Sequence, residues 1–199
     1  MARASNAAVI FRPLRLPRLL LLAPLLLAGC GNAAAEAEPV RTLLADTSPD
    51  GPVVDEAGLI PADAEAELDT GLREFFNQSG AALVVVTVNS LQGQSIEQAA
   101  HDTFGTLGIG DRQTHRGLLI FVAPADHSAR IEVGCGLEAT ITDDVANTIM
   151  QDNIMPRFRE ADFVGGINSG ADELMAAVNA GGTAQPVSAS CRQIMGVAG

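Results

Sequence analysis

The sequence contains no lysine, tryptophan or tyrosine, so its 12 basic side chains are all arginine, set against 24 carboxylates for a formal charge of −12. A surface of that sign repels nucleic acid, whose binding depends on neutralising phosphates with Lys and Arg. It also repels an anionic substrate unless a cation stands between them. What remains is a solvated domain, or one that collects divalent cations.

Several catalytic signatures are missing as well. The three histidines, His101, His115 and His127, lie apart and lack the paired spacing of a helical zinc site. No Gly-x-Ser-x-Gly elbow occurs. Ile141 stands six positions after Cys135, where a cysteine-phosphatase loop needs Arg. Gly134-x-Gly136-x-x-Ala139 has the spacing of a dinucleotide fingerprint, but it follows the second arm of a hairpin rather than the first strand of a βαβ unit. Asp143 and Asp144 also stand where a pyrophosphate would sit. Nucleotide binding is excluded, and the glycines read more simply as positive-φ residues of a sharp turn.

The longest apolar run, LLLLAPLLLAG over 19–29, is broken by Pro24 and is too short for a permanent membrane span. Arg3, Arg12, Arg15 and Arg18 precede it without an acid, and Leu27-Ala28-Gly29-Cys30 ends it. Basic start, apolar centre and small residues at the cut are the parts of an export signal over 1–29. Cys30 in that setting resembles the lipobox Cys of bacterial lipoproteins, which is acylated after cleavage. Gly31 rather than Asp resembles outer-membrane sorting. The expectation is an exported protein, lipid-anchored and facing the periplasm, with the outer membrane favoured. Without 1–29 the charge deepens to about −16.

Residues 30–52 are rich in Ala, Pro and acids and read as a tether. Apolar periodicity runs over 53–180, a normal single domain, and 181–199 reads as a small, polar, loose tail. Pro61, the acids after it and the stripe Ala64, Leu68, Leu72, Phe75/Phe76 predict a helix over 61–77. The β-branched run 82–88 predicts a buried strand. A helix over 95–107 follows, then a buried strand over 117–123. A turn at 124–128 returns an alternating strand over 129–134, giving a hairpin. Thr142 caps a helix reaching about Asn153 and closed by Pro156. Asp162 caps the last helix, with Val164, Ile167, Ala171, Leu174, Met175 and Val178 on one side. The order αβαββαα places helices on a small mixed sheet, α/β in class.

Val53-Val54-Asp55-Glu56-Ala57-Gly58-Leu59-Ile60 resembles the opening V-x-D-x-A-G-x-[IL] of the TPM-domain family. The likeness continues through Gly108-Ile109-Gly110, Arg116–Ile120, Arg130–Gly134, Gly136-Leu137-Glu138 and Thr142-Asp143. It closes with Ile154–Arg159 and Asp162-Phe163-x-x-Gly166-Ile167. It implies a three-layer sandwich acting beside a membrane. Members include bacterial envelope proteins, thylakoid-lumen proteins linked to photosystem repair and animal membrane-receptor modulators. Acid phosphatase activity is ascribed to a plant member and divalent-cation binding to some members. Gly134-Cys135-Gly136 stands where the family commonly has Gly-Tyr-Gly. His115 stands where it often has Asp or Asn.

A hard cation such as Ca²⁺ or Mg²⁺ needs several oxygen ligands. The hairpin places the loop holding Asp111 at the same end of the sheet as the segment from Cys135 to Asp144. Asp111, Glu138, Asp143 and Asp144 are therefore candidate ligands, with turn carbonyls beside them. Asp55 is a further candidate, whose position depends on how the chain folds back, and Asp126 would draw its partners from Asn89 or Asp55. Against this, acids in a helix's first turn stabilise it by ~0.3–1 kcal/mol each, and Asp55 also reads as a turn residue bonding its own backbone. Arg112, Arg116 and Arg130 either hold a phosphate or pair with acids. Cys135 and Cys191 either form one disulfide or stay as a buried Cys and a tail thiol.

The functional expectation is an anchored accessory module that binds a divalent cation and an envelope membrane-protein partner. The alternatives are a metal-assisted phosphatase with Asp143 as ligand or base, and a cation-free interaction scaffold.

Overall fold

The computed structural model describes residues 51–110, 113–182 and Cys191. Among the described residues, four strands form one sheet in the order β1-β2-β3-β4. These are β1 (Val53–Asp55), β2 (Ala82–Thr87), β3 (Gly117–Ala123) and β4 (Ser128–Val133). The first three run parallel, and β4 returns antiparallel to β3. Helix α1 (Ala62–Ser79) joins β1 to β2, and α2 (Ile96–Leu107) joins β2 to β3. After β4 come α3 (Asp143–Ile149), a π-helical turn (Met150–Ile154), α4 (Met155–Arg159) and α5 (Phe163–Gly181).

The strand β1 is absent from the order expected from sequence. Three residues, one flanked by Pro52, are too few to show a period; β1 exists because Val53 to Asp55 pair with Val85 to Thr87.

Alternation along the strands makes two cores. Val53, Leu83, Val85, Leu118, Ile120 and Ile131 face α1 and α5, while Val54, Val86, Leu119 and Phe121 face α2. The result is three layers. The helices α1 and α2 lie on opposite faces while β1, β2 and β3 follow one another across the sheet. The two crossovers therefore have opposite hands, so one departs from the usual right-handed rule.

Most helix ends follow the sequence cues. Ser95 accepts from the Gln98 amide at 3.2 Å, and Asp162 accepts from the Gly165 amide at 2.9 Å. Gly80 and Gly108 close α1 and α2 in the left-handed conformation. Of the double phenylalanine in α1, Phe75 is buried and Phe76 is 49 % exposed.

Pro156 does not end the helix begun at Thr142. A proline removes an N–H and crowds the preceding turn. Here the chain accommodates it with a π turn, in which the Met155 amide reaches back to the Met150 carbonyl. The helical path continues into α4 with Pro156 in its first turn.

Candidate functional site

The two ends of the sheet carry different chemistry. At the end where β1, β2 and β3 finish, polar groups lock loops to one another. Asp55 accepts from the amides of Leu59 at 3.1 Å and Ile60 at 2.7 Å, and from the Thr87 hydroxyl. Asn89 donates to the Glu56 carbonyl at 3.1 Å, and Asp126 accepts from the Leu91 amide at 2.7 Å. Asp55, Asn89 and Asp126 thus share one end, and Asp55 fills the role of a turn residue holding its own backbone.

At the opposite end, Gly134-Cys135-Gly136 packs main chain to main chain against residues 114–117. A Cβ on Gly134 would lie 2.5 Å from the His115 carbonyl oxygen, and one on Gly136 would lie 1.9 Å from that of Thr114. Neither glycine has a positive φ. Close approach, not a left-handed turn, is what requires them. Cys135 is joined to the fully buried Cys191 by a disulfide spanning 56 residues. Closing a loop of that length restricts the unfolded chain by about 4 kcal/mol on a chain-entropy model.

Next to this end of the sheet, β4 and α3 form the walls of an open cleft of about 850 Å³. That is within the ~300–1,000 Å³ typical of ligand sites. One wall is the run from Ala129 to Val133; the other is Ile141, Thr142, Asp143, Ala146 and Asn147, extended by Met150 and Gln151 of the π turn. Glu138 lies at its end. Thr142 caps α3 by accepting from the Val145 amide at 3.3 Å, which sets Asp143 in the first turn.

Glu138 and Asp143 therefore share the cleft. Asp144 is exposed in the same first turn but does not line it. Asp111 and Arg112 lie outside the described residues, as does Cys30. Asp55 belongs to the opposite end of the sheet, because β1 ends where β4 begins. Among the described residues, no three His, Cys, Asp or Glu side chains form a group able to hold a metal. Asp55, whose position the sequence left open, stands with Asn89 and Asp126 and apart from Glu138, Asp143 and Asp144, since β1 and the Gly134 turn point their ends in opposite directions.

Arg130 and Glu132 pair at 2.8 Å, and His101 Nδ1 stands 3.3 Å from the other oxygen of Glu132. Arg116 is buried, at 8 % exposure. Among the described residues, Arg73 and Asp162 have displaced pKa values, and both lie outside the cleft. The Arg73 guanidinium is raised by its hydrogen bond to Asp69 and by that residue's charge. Asp162 is lowered first by the Gly165 amide and then by Arg157.

Sequence reasoning missed the cleft's second wall. Asp143, Ala146, Asn147, Met150 and Gln151 fall on one helical face by their three- and four-residue spacing, and that spacing was the signal that could have found it.

Residues 53–177 match the family model described as the TPM domain. Among the solved structures that resemble the fold are three from bacteria. The N-terminal domain of a P. gingivalis protein has 24% identity and a TM-score of 0.63, covering 73% of this chain and 93% of its own. The N-terminal domain of a Corynebacterium glutamicum protein has 17% identity, a TM-score of 0.53 and coverages of 71% and 88%. The BA42 protein of the psychrophilic bacterium Bizionia argentinensis has 20% identity, a TM-score of 0.54 and coverages of 66% and 87%. No curated protein matches the chain.

Proposed function

The chain belongs to the TPM-domain family, and from that premise we propose that it is an accessory binding module of the bacterial envelope that holds a divalent cation in the cleft between β4 and α3. The observation that carries this reading is the placement of Glu138 and Asp143 on one cleft. Two carboxylates are too few for a dehydrated Ca²⁺ cage. They suit a cation that keeps several waters, as Mg²⁺ does. In this reading residues 1–29 direct export and are removed, Cys30 carries the lipid anchor and 31–52 is the tether.

A second reading has its own support. Ligands of open α/β sheets sit beyond the carboxyl ends of parallel strands, where Asp55, Asn89 and Asp126 meet. The carboxylates there accept main-chain amides.

Calorimetric titration of the purified chain with MgCl₂ and CaCl₂ separates the two. Binding is expected with a dissociation constant on the order of 10⁻⁴–10⁻³ M. It should be lost in Glu138→Gln/Asp143→Asn and kept in Asp126→Asn. The reverse pattern moves the site to the other end, and no heat with either salt leaves a cation-free scaffold. Hydrolysis of p-nitrophenyl phosphate that required both Mg²⁺ and Asp143 would instead establish a metal-assisted phosphatase.

A further inference from the structure

The sheet has two edges, and they are treated differently. Strand β1 is three residues long and follows Pro52, a short edge blunted by proline in the way natural sheets protect themselves. Strand β4 has six residues, no proline and no lysine. Its register gives the direction of every main-chain group. The Gly134 amide donates to the Gly117 carbonyl at 2.8 Å, and Gly134 is the residue opposite Gly117 by extension of the pairing Leu118↔Val133. Hydrogen-bonded pairs alternate in an antiparallel ladder. Ser128, Arg130 and Glu132 therefore bond to β3, and the amides and carbonyls of Ala129, Ile131 and Val133 point away from it.

That outward edge opens into the cleft, facing α3 across it. A strand edge on one side and a helix on the other is the geometry that receives an extended peptide by strand addition. We propose that β4 accepts an extended, basic peptide segment of a partner protein as a fifth strand. Alternate side chains of that peptide would rest on Ala146 and the exposed edge of Met150. Its cationic residues would answer the cleft's charge, in which Glu132, Glu138 and Asp143 outnumber Arg130. The same charge argues against a second copy as occupant, because another chain of −12 brings the same sign. The inference rests on the cleft being the binding surface and needs no cation.

The probe is the synthetic peptide acetyl-KVKVKVK-amide, with EVEVEVE as control, added in EDTA to the ¹⁵N-labelled full chain in mild detergent. The amides of Ala129, Ile131 and Val133 should shift and exchange with solvent at least about tenfold more slowly, as ladder amides do. The acidic peptide should leave them unmoved. Glu138→Gln/Asp143→Asn should weaken the basic peptide about fivefold at low salt, with the loss vanishing at high salt. Ala129→Pro removes one outward amide at a position where edge proline is tolerated, and should weaken it further with circular dichroism unchanged. The proposal is overturned if the three amides do not respond. It is also overturned if they are already protected without peptide in a species of twice the mass. If Mg²⁺ binds while the peptide does not, only this inference fails. If the peptide binds while Mg²⁺ does not, only the cation reading fails.

Discussion

Thr87, the last residue of β2, donates its hydroxyl to Asp55, the last residue of β1. The same hydroxyl accepts from the Ala57 amide at 3.1 Å, while Asp55 accepts from Leu59 and Ile60. Two side chains thus satisfy three amides of the segment between β1 and α1 and join two parallel strands beyond their ladder. Removing a charged acceptor leaves its donors unpaired, at about 1.5–3 kcal/mol per such bond. Asp55→Ala should therefore lower unfolding stability by about 2–4 kcal/mol, and Thr87→Val by less, both in urea titrations. The double variant should lose less than the sum, since the residues share one network. A fully additive result would show that Asp55 and Thr87 act separately.

The Asp55 clasp also shows what the sequence could and could not disclose. The helices were legible because their stripes and caps are local: Ser95, Thr142 and Asp162 each accept from an amide three residues on. The buried strands β2 and β3 were legible from continuous apolar runs. Strand β1 was not, because its existence depends on a partner thirty-two residues away. The cleft was only half legible. Glu138 and Asp143 follow from the hairpin's geometry, whereas Asn147, Met150 and Gln151 share with Asp143 a helical face that mixes polar and apolar residues, so no apolar stripe marks it. The assignment of Gly134 and Gly136 to positive φ failed for a different reason. Their requirement comes from a neighbouring loop, Thr114 and His115, and not from their own turn.

That neighbouring loop makes the second glycine the more sensitive of the pair. Alanine at Gly136 would place its Cβ 1.9 Å from the Thr114 carbonyl oxygen, a main-chain atom that cannot rotate away. The loop at 114–117 would have to move, and with it the hydrogen bond from the Gly136 amide to the His115 carbonyl, now 3.0 Å. Gly136→Ala should cost about 2 kcal/mol or more, whereas Gly71→Ala in α1, with open space around it, should be neutral or stabilising. Thermal unfolding of the two variants checks this. Equal melting temperatures would mean that the two segments are not in contact.

Asp162 ties stability to pH at the start of α5. Its carboxylate accepts from the Gly165 amide at 2.9 Å and from Arg157 at 3.0 Å, and these partners, the amide first, hold its pKa below the ordinary 3.8. A carboxyl whose folded pKa is depressed binds fewer protons in the native state than in the unfolded chain. Its contribution is complete above the unfolded value and fades as pH falls through the folded one. The melting-temperature gap between the wild type and Asp162→Ala should therefore be widest near neutrality and should narrow below about pH 4. Asp162→Asn keeps an oxygen that can accept from Gly165 but has no charge to lose, so it should sit between the two near neutrality. Its separation from Asp162→Ala should stay constant as acid is added. Because the side chain is exposed, salt should weaken the Arg157 part and leave the amide part in place. A gap between wild type and Asp162→Ala that is unchanged from pH 7 to about pH 2.5 would mean that the carboxylate's charge has no part in capping α5.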